Sequence, residues 1–220
     1  MSKHALIDHR PWLLASLAAA IAFYLLRDNP IGGLWLIMLK ASGVGLLAAY
    51  AWRRGVGQDG LLLTIYLALG ALGDALIEID LTYGGAAFFA GHLAAIALFL
   101  RYPREEPTSS QKGAGVTLLL FTPLLCWLLS GSLQIALYGL ALGGMAAAAW
   151  LSSFSRYRVG IGAVLFVVSD LLIFSEIGPV DLGPAPDMLI WPLYYLGQFL
   201  IAIGVVQALL AAQLSTAWQR

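Results

Sequence analysis

Long apolar runs separated by short polar breaks dominate this chain of 220 residues. A helix of about 20 apolar residues can cross the hydrocarbon core of a bilayer, because each residue adds about 1.5 Å. No break is long enough to hold a soluble domain. The sequence therefore predicts one all-α polytopic membrane bundle of eight transmembrane helices over residues 1–220, at residues 11–26, 31–52, 61–81, 84–100, 114–130, 133–151, 159–177 and 188–210.

The composition excludes several other classes of protein. With 60% hydrophobic and 11% charged residues, the chain has too little polar surface to cover a soluble domain. Its formal net charge of zero gives nucleic-acid binding no electrostatic support. The single cysteine, Cys126, allows no intrachain disulfide, and no spacing of ligand residues indicates a metal site. We therefore expect no cofactor and no nucleic-acid partner.

The lysines and arginines outside the spans indicate the orientation of the bundle. Under the eight-span arrangement, all of them from Lys3 to Arg220 fall on one side, except Arg27. Positive loops are typical of the cytoplasmic face, so both termini are predicted to be cytoplasmic. The opposite face is acidic, and its proline-rich loop at residues 178–187 is either a lid or a plain rigid connector. The expected location is the cell membrane, which in a bacterium is the inner membrane.

Two aspartates lie inside predicted spans, where ionisable residues are costly. Asp74 is in the third span and Asp170 is in the seventh. Such residues usually face a bundle interior or a wet cavity, and they are interpreted as functional by default. We predict that the two aspartates face each other in the bundle.

The surroundings of the two aspartates indicate an internal repeat. The segment 73–77 around Asp74 aligns with 169–173 around Asp170, and 91–93 aligns with 197–199 in the helices that follow. Spans one to four and five to eight would then be parallel halves, as in some transporters. The alternative is coincidence within a membrane sequence of low diversity.

Several polar residues share one predicted depth in the membrane. At about 1.5 Å per residue, five of them lie roughly 10 to 15 Å from the non-cytoplasmic ends of five different spans. This common level predicts a cavity that opens on that side. Spacing of four residues adds neighbours on the same helix faces: Tyr66, Gly70 and Glu78 beside Asp74, and Tyr194 beside Gln198. The five residues at the common depth are Lys40, Asp74, His92, Asp170 and Gln198.

Each candidate also has a purely structural interpretation. Lys40 can form an ion pair with an aspartate, and His92 can make an ordinary hydrogen bond between helices. Tyr194 and Tyr195 can belong to an interfacial aromatic belt. Glu78, near the outer end of its span, can simply be solvated.

The chemistry available to such a site is proton transfer. Two carboxyl groups close together in a medium of low dielectric constant cannot both ionise easily, so one retains its proton. Together they form an acid and base pair, and a nearby Lys40 would favour the charged partner. Serine and cysteine nucleophile signatures are absent from the sequence. A hydrolase built on this chain would therefore act on a bond that acid can open.

The motifs around these residues resemble those of the YhhN/TMEM86 family of multi-pass membrane proteins, the lysoplasmalogenases. The resemblance runs over most of the chain from Lys40 onward. It rests on Gly73-Asp74, Gly91-His92, Gly162-Ala163 through Phe166 to Ser169-Asp170, and Tyr194-Tyr195 with Gln198. The resemblance implies that the substrate is a lysophospholipid, a lysoplasmalogen, whose vinyl ether bond is hydrolysed. The products would be a fatty aldehyde and glycerophospho-ethanolamine or glycerophosphocholine.

Under this hypothesis Asp74 and Asp170 are the catalytic residues, one as general acid and the other stabilising the cation and orienting water. The substrate tail would lie among apolar residues such as Phe166 and Phe174. The remaining polar candidates would bind the substrate or tune the acid pair: Lys40, Glu78, His92, Tyr194, Tyr195 and Gln198.

Two other function classes fit the same sequence features. Membrane aspartates and parallel repeats serve a proton-coupled lipid or small-molecule carrier equally well. A non-catalytic lipid-binding or scaffold protein is the third class. Turnover by the purified protein in detergent, where no gradient exists, distinguishes an enzyme from a carrier.

Overall fold

The computed structural model describes residues 10–30 and 32–218, and over these residues the chain is helical without strands. The predicted all-α polytopic fold is confirmed. Seven helices in this part of the chain are long and apolar enough to cross a membrane. A further apolar helix, which comes before these seven in the chain, is shorter. The helices are α1 (Arg10–Leu26), α2 (Leu34–Arg54), α3 (Gly57–Leu76), α4 (Leu81–Leu100), α5 (Ser109–Ser130), α6 (Leu133–Leu151), α7 (Ile161–Ile177) and α8 (Ala185–Trp218). One π-helical turn, Arg156–Gly160, precedes α7 directly.

Some predictions fall on residues outside the described ranges. Lys3 and Arg220, which carry the prediction for the two termini, are among them, and so is residue 31, the predicted start of the second span. The described part of that span, α2, begins at Leu34 after Gly33. Gly33 has a φ of 83°, a conformation that glycine adopts without strain.

The boundary between α3 and α4 differs from the prediction, and Asp80 explains why. Asp80 Oδ1 accepts hydrogen bonds from the backbone N–H groups of Thr82 at 2.7 Å and Tyr83 at 3.2 Å. This is the geometry of a helix N-cap, so α4 begins at Leu81. The same two backbone donors lower the pKa of the exposed Asp80 carboxyl below its ordinary value.

As a result, Glu78 lies in a turn rather than on a helix. Helix α3 ends at Leu76, five residues before the predicted end of the third span. The predicted stripe of Tyr66, Gly70, Asp74 and Glu78 is therefore wrong at its last position. Asp74 is in the last turn of α3 and is buried, with 2% of its surface exposed.

Helix α8 begins earlier than predicted and extends further. It covers 34 residues from Ala185 to Trp218, whereas the sequence predicts residues 188–210. Pro186 is compatible with the early start, because proline lacks a backbone N–H group. In the first turn of a helix, that group has no hydrogen-bond partner within the helix. The connection after α7 is accordingly shorter than the predicted loop at residues 178–187.

The chain divides into two compact units within which the helices pack. One unit contains residues up to 91 and those from 206 onward, and the other contains residues 92–205. In the first, α1 packs on α2 and α2 on α3. In the second, α5 packs on α6, and α7 packs on both. The parallel repeat and the single domain over residues 1–220 stay predictions.

Candidate functional site

A chain of hydrogen bonds links three helices inside the second unit. The Tyr138 hydroxyl of α6 donates to Asp170 Oδ2 of α7 at 2.6 Å. His92 Nε2 of α4 lies 3.0 Å from the same hydroxyl oxygen. A phenol has one proton, and here that proton points to Asp170. With Asp170 ionised, His92 Nε2 is then the donor to Tyr138, which leaves Nδ1 as the unprotonated ring nitrogen.

The second nitrogen of His92 is the open end of this chain. His92 has 1% of its surface exposed, and Nδ1 has no hydrogen-bond partner among the described residues. At the other end Asp170 is also buried, with 6% exposed. Buried polar groups are normally satisfied, so an unpaired acceptor at this position needs an explanation.

Close contact between α5 and α6 fixes the position of Tyr138. A Cβ atom added to the neighbouring Gly139 would lie 2.7 Å from Cys126 Sγ and 3.0 Å from the Pro123 backbone. Gly143, one turn later, would place a Cβ 2.6 Å from the Leu118 carbonyl oxygen. Only glycine at these positions lets the two helices approach this closely.

A second glycine contact sets α7 against α8. A Cβ on Gly162 would lie 2.7 Å from the Gly197 carbonyl oxygen, and a Cβ on Gly197 would lie 2.6 Å from that of Gly162. The two backbones therefore touch. Further along α7, the Ser169 hydroxyl donates to the Ile190 carbonyl of α8 at 2.9 Å. These contacts place Asp170 on a helix that is held from one side by α8.

Aromatic rings surround the hydrogen-bonded chain. The Phe166 ring meets His92 edge to face at 5.1 Å between centroids and meets Tyr194 at the same distance. Phe174 meets the Tyr138 ring at 5.6 Å. Phe166 and Phe174 are both buried. Packed aromatic rings lower the local dielectric constant and so strengthen the hydrogen bonds among them.

The tyrosines of α8 are part of this packed region. Gln198 Nε2 donates to the Tyr194 hydroxyl at 3.4 Å, so these two residues share a helix face as predicted. Tyr195 stacks on Trp191 at 6.1 Å. Tyr194 and Tyr195 are 5% and 7% exposed, which is too little for an interfacial aromatic belt. The fully buried Gln198 has no partner for its Oε1 within the described residues.

Lys40 has a different partner from the predicted one. Its Nζ lies 2.5 Å from Glu78 Oε1 and 5.6 Å from the centre of the Phe23 ring. The ion pair is thus with Glu78 in the turn after α3, rather than with an aspartate. The side chain of Glu78 is 41% exposed and that of Lys40 is 17% exposed. Glu78 is therefore partly solvated, as its structural interpretation expects, and it also forms an ion pair.

Comparison with known proteins gives this arrangement a family. The sequence model of the YhhN family matches residues 35–205. The chain belongs to the YhhN family. It is also 31% identical over 179 residues to the lysoplasmalogenases of Mycobacterium bovis and Mycobacterium tuberculosis, a match that covers 75% of this chain and 68% of each relative. No solved structure matches the chain.

The predicted site residues all fall within the YhhN match, but they divide between the two units. The structure brings His92 and Asp170 together through Tyr138, and it joins Tyr194 to Gln198. It separately joins Lys40 to Glu78. Asp74 belongs to the first unit and Asp170 to the second. The facing pair of aspartates stays a prediction.

Tyr138 is the residue that the sequence reasoning missed. It lies in the apolar run of α6, where a hydroxyl group must find a partner on another helix. This need for a hydrogen-bond partner was the one feature of the sequence that could have marked Tyr138 as a candidate. A lone tyrosine carries no charge to mark it, however, and tyrosine is common in membrane helices for other reasons.

A cleft of about 330 Å³ lies at the end of α7. It is formed by Ser175, Glu176, Pro186 and the loop from Gly178 to Gly183, and none of the predicted substrate-binding residues lines it. Ser175 follows Asp170 by five residues, a distance of about 7.5 Å along the helix. The cleft thus lies about one and a half helical turns from the buried carboxyl group.

Proposed function

We propose that this YhhN-family protein is a lysoplasmalogenase. It would hydrolyse the vinyl ether bond of a lysoplasmalogen to a fatty aldehyde and glycerophospho-ethanolamine or glycerophosphocholine. The observation that carries the proposal is the buried Asp170 carboxyl group, hydrogen-bonded to Tyr138 among aromatic rings. Similarity to two proteins named lysoplasmalogenase supports the substrate class.

The reaction begins with transfer of a proton to carbon. Asp170, in its acid form, protonates the outer carbon of the alkenyl group, and the electron pair of the double bond forms the new C–H bond. The neighbouring carbon becomes an oxocarbenium ion, which the ether oxygen stabilises. Water then adds to this carbon and releases one proton. The resulting hemiacetal collapses to the aldehyde and the free glycerol hydroxyl, so that one water molecule is consumed in all.

Aromatic surroundings suit the cationic intermediate. The Tyr138 ring carries the hydroxyl group that bonds to the acid, and Phe166 and Phe174 pack against His92 and Tyr138. The faces of aromatic rings attract positive charge. We assign to Asp74 the role predicted from the sequence, that of the second carboxylate, which stabilises the cation. Lys40, Glu78, Tyr194, Tyr195 and Gln198 remain the proposed substrate-binding residues.

The cleft at the end of α7 is a suitable place for the polar headgroup. Glu176 and Asp181 line it and carry carboxylates, which attract the ammonium group of ethanolamine or choline. In a lysoplasmalogen the glycerol backbone separates the vinyl ether from the phosphate. A headgroup in the cleft and a vinyl ether beside Asp170 would therefore lie along the same helix.

The substrate specificity of the purified protein tests this proposal. The protein in detergent is incubated with a lysoplasmalogen, with its saturated alkyl ether analogue and with its acyl analogue. We expect fatty aldehyde from the alkenyl compound and no product from the other two. Release of fatty acid from the acyl compound, or no aldehyde from the alkenyl compound, would contradict the proposal.

The same measurement distinguishes the enzyme from the proton-coupled carrier. Detergent solution holds no gradient, so a carrier would leave all three lipids chemically intact. Transport of intact lysolipid in proteoliposomes, with no aldehyde formed, would support the carrier instead.

A further inference from the structure

We infer that His92, Tyr138 and Asp170 form a proton relay that restores the acid form of Asp170 after each turnover. In this relay His92 Nδ1 receives the proton that the attacking water releases. The role rests on the proposed function, because it needs a reaction in which an acid gives its proton to carbon and water later supplies another.

The direction of the hydrogen bonds allows a proton to pass from one end to the other. With Asp170 ionised, His92 Nε2–H donates to the Tyr138 oxygen, and the Tyr138 O–H donates to Asp170 Oδ2. A proton that arrives at Nδ1 releases the proton on Nε2 to Tyr138. The proton of Tyr138 then moves to Asp170. All three side chains are then neutral. The net result is the transfer of one proton from His92 Nδ1 to Asp170.

This sequence of transfers balances the chemistry of vinyl ether hydrolysis. Asp170 loses one proton when the alkenyl carbon is protonated. Water loses one proton when it adds to the oxocarbenium ion, and that proton enters at Nδ1. The hydroxyl proton of the hemiacetal moves to the departing glycerol oxygen. Asp170 is protonated again at the end, and His92 is left neutral with its proton on Nδ1. A change of tautomer, which exchanges protons with water without net gain or loss, returns His92 to the Nε2–H form before the next turnover.

The unpaired Nδ1 distinguishes a relay from a purely structural hydrogen bond. A histidine that only connects two helices is normally satisfied at both ring nitrogens when it is buried. Here Nδ1 is buried and has no partner in the described part of the chain, so its lone pair is available to a water molecule or a substrate. The aromatic ring of Phe166 packs against the imidazole and holds its plane.

Kinetics of the first turnover test this relay. In Tyr138→Phe the acid remains, but the path for its reprotonation is interrupted. We expect a burst of one aldehyde per protein at a rate within about threefold of the wild type, followed by steady-state turnover about 100-fold slower. His92→Gln, whose amide N–H can still donate to Tyr138 but which has no basic nitrogen, should show the same burst.

A matched control is Tyr102→Phe. Tyr102 packs on the Phe154 ring at 4.9 Å and lies outside the hydrogen-bonded chain, so it loses the same hydroxyl group without touching the relay. Its burst and its steady state should equal those of the wild type. In His92→Ala, added imidazole should restore steady-state turnover by about tenfold or more, because it can replace the missing base.

Two outcomes would overturn the relay. The first is wild-type steady-state turnover in Tyr138→Phe. The second is an equal loss in its first turnover and its steady state, since this would mean that Tyr138 only orients Asp170. If the wild-type protein itself releases no aldehyde, the proposed function fails, and the relay fails with it. If wild type and Tyr138→Phe turn over equally, only the relay fails.

The protonation state of His92 provides a test without substrate. The chain has three histidines, and the ¹⁵N spectrum of His92→Gln identifies the signals of His92 by difference. At alkaline pH, with Asp170 ionised, we expect the proton on Nε2 in the wild type, and loss of that preference in Tyr138→Phe. A proton on Nδ1 under these conditions would overturn the inferred direction of the relay.

Discussion

The Lys40–Glu78 pair and the His92–Tyr138–Asp170 chain are two polar contacts in an apolar protein, and they differ in kind. The first joins opposite charges in the turn after α3, where the carboxylate is 41% exposed and the lysine is 17% exposed. The second is buried, connects three helices and includes a phenol between its two ionisable groups. Solvent screens the first pair, whereas every member of the second depends on its neighbours for hydrogen bonds.

This difference indicates where function and stability are concentrated. An exposed ion pair contributes little because water offers both charges an alternative partner. A buried network has no such alternative, so the removal of one member leaves another polar group unsatisfied. Substitutions in the two regions should therefore differ in both size and type of effect.

The largest effect is expected from Asp170→Asn. The amide can still accept a hydrogen bond from Tyr138, but it cannot donate a proton to carbon, and aldehyde release should fall about 10³-fold. The control is Asp28→Asn, at a side chain that is 83% exposed. Wild-type aldehyde release by folded Asp170→Asn would exclude Asp170 as the acid.

Asp74→Asn tests the pairing predicted from the sequence. If Asp74 and Asp170 act as a unit, each single variant should lose about 10³-fold, and the double variant should lose hardly more than either. Independent, multiplying losses would show that the two aspartates act separately. Both variants are compared by aldehyde release at equal amounts of folded protein.

A smaller loss is expected from Gly197→Ala. The added Cβ would lie 2.6 Å from the Gly162 carbonyl oxygen, so α7 and α8 must separate. A displacement of this size at a catalytic group can cost about 100-fold in rate. Gly113→Ala is the control, because no atom lies within 4 Å of a Cβ at that position. Equal activity of the two variants would contradict the contact.

The Lys40–Glu78 pair should be worth much less to stability. We expect Lys40→Met and Glu78→Gln each to change the free energy of unfolding by less than about 1 kcal/mol. A double-mutant cycle on unfolding in detergent measures the coupling between them. A coupling of several kcal/mol would contradict this expectation. It would mean that the ion pair is as strongly coupled as the members of the buried His92–Tyr138–Asp170 network.

The smallest effect is expected from Asp80→Ala, and it should depend on pH. Two backbone N–H groups hold the pKa of Asp80 below its ordinary value of 3.8, so its contribution to stability is present above that pH. The contribution is lost as the pH falls through the lowered pKa. The unfolding temperature of the variant should be a few degrees lower at neutral pH, and the difference should narrow in acid. A constant difference would mean that the charge is irrelevant.

The sequence predicted the helices well because apolar runs of this length have few alternatives in a membrane. It placed the end of the third span too late, because Ile77 and Ile79 continue the apolar run while Asp80 caps the next helix. Hydropathy does not detect a cap. The single hydrogen-bonding oxygen of Asp80 therefore decided a boundary that composition left open.

The candidate site was predicted in part, and its gaps have physical reasons. Asp170 and His92 were found because ionisable residues are rare in apolar helices. Tyr138, which joins them, is neutral and therefore did not stand out. The predicted partner of Lys40 was wrong because Glu78 was assigned to a helix face. Glu78 lies instead in a turn, and its carboxylate pairs with the lysine. Contacts between distant segments are set by packing, which spacing along one chain does not encode.

The length of α8 has a consequence for the surrounding lipid. Its 34 residues extend about 51 Å, against a hydrocarbon thickness of about 30 Å. Such a helix can accommodate thicker or thinner bilayers by changing its tilt, at a modest cost per ångström of mismatch. Host membranes of different thickness should therefore be tolerated without unwinding of the segment that bears Tyr194 and Gln198.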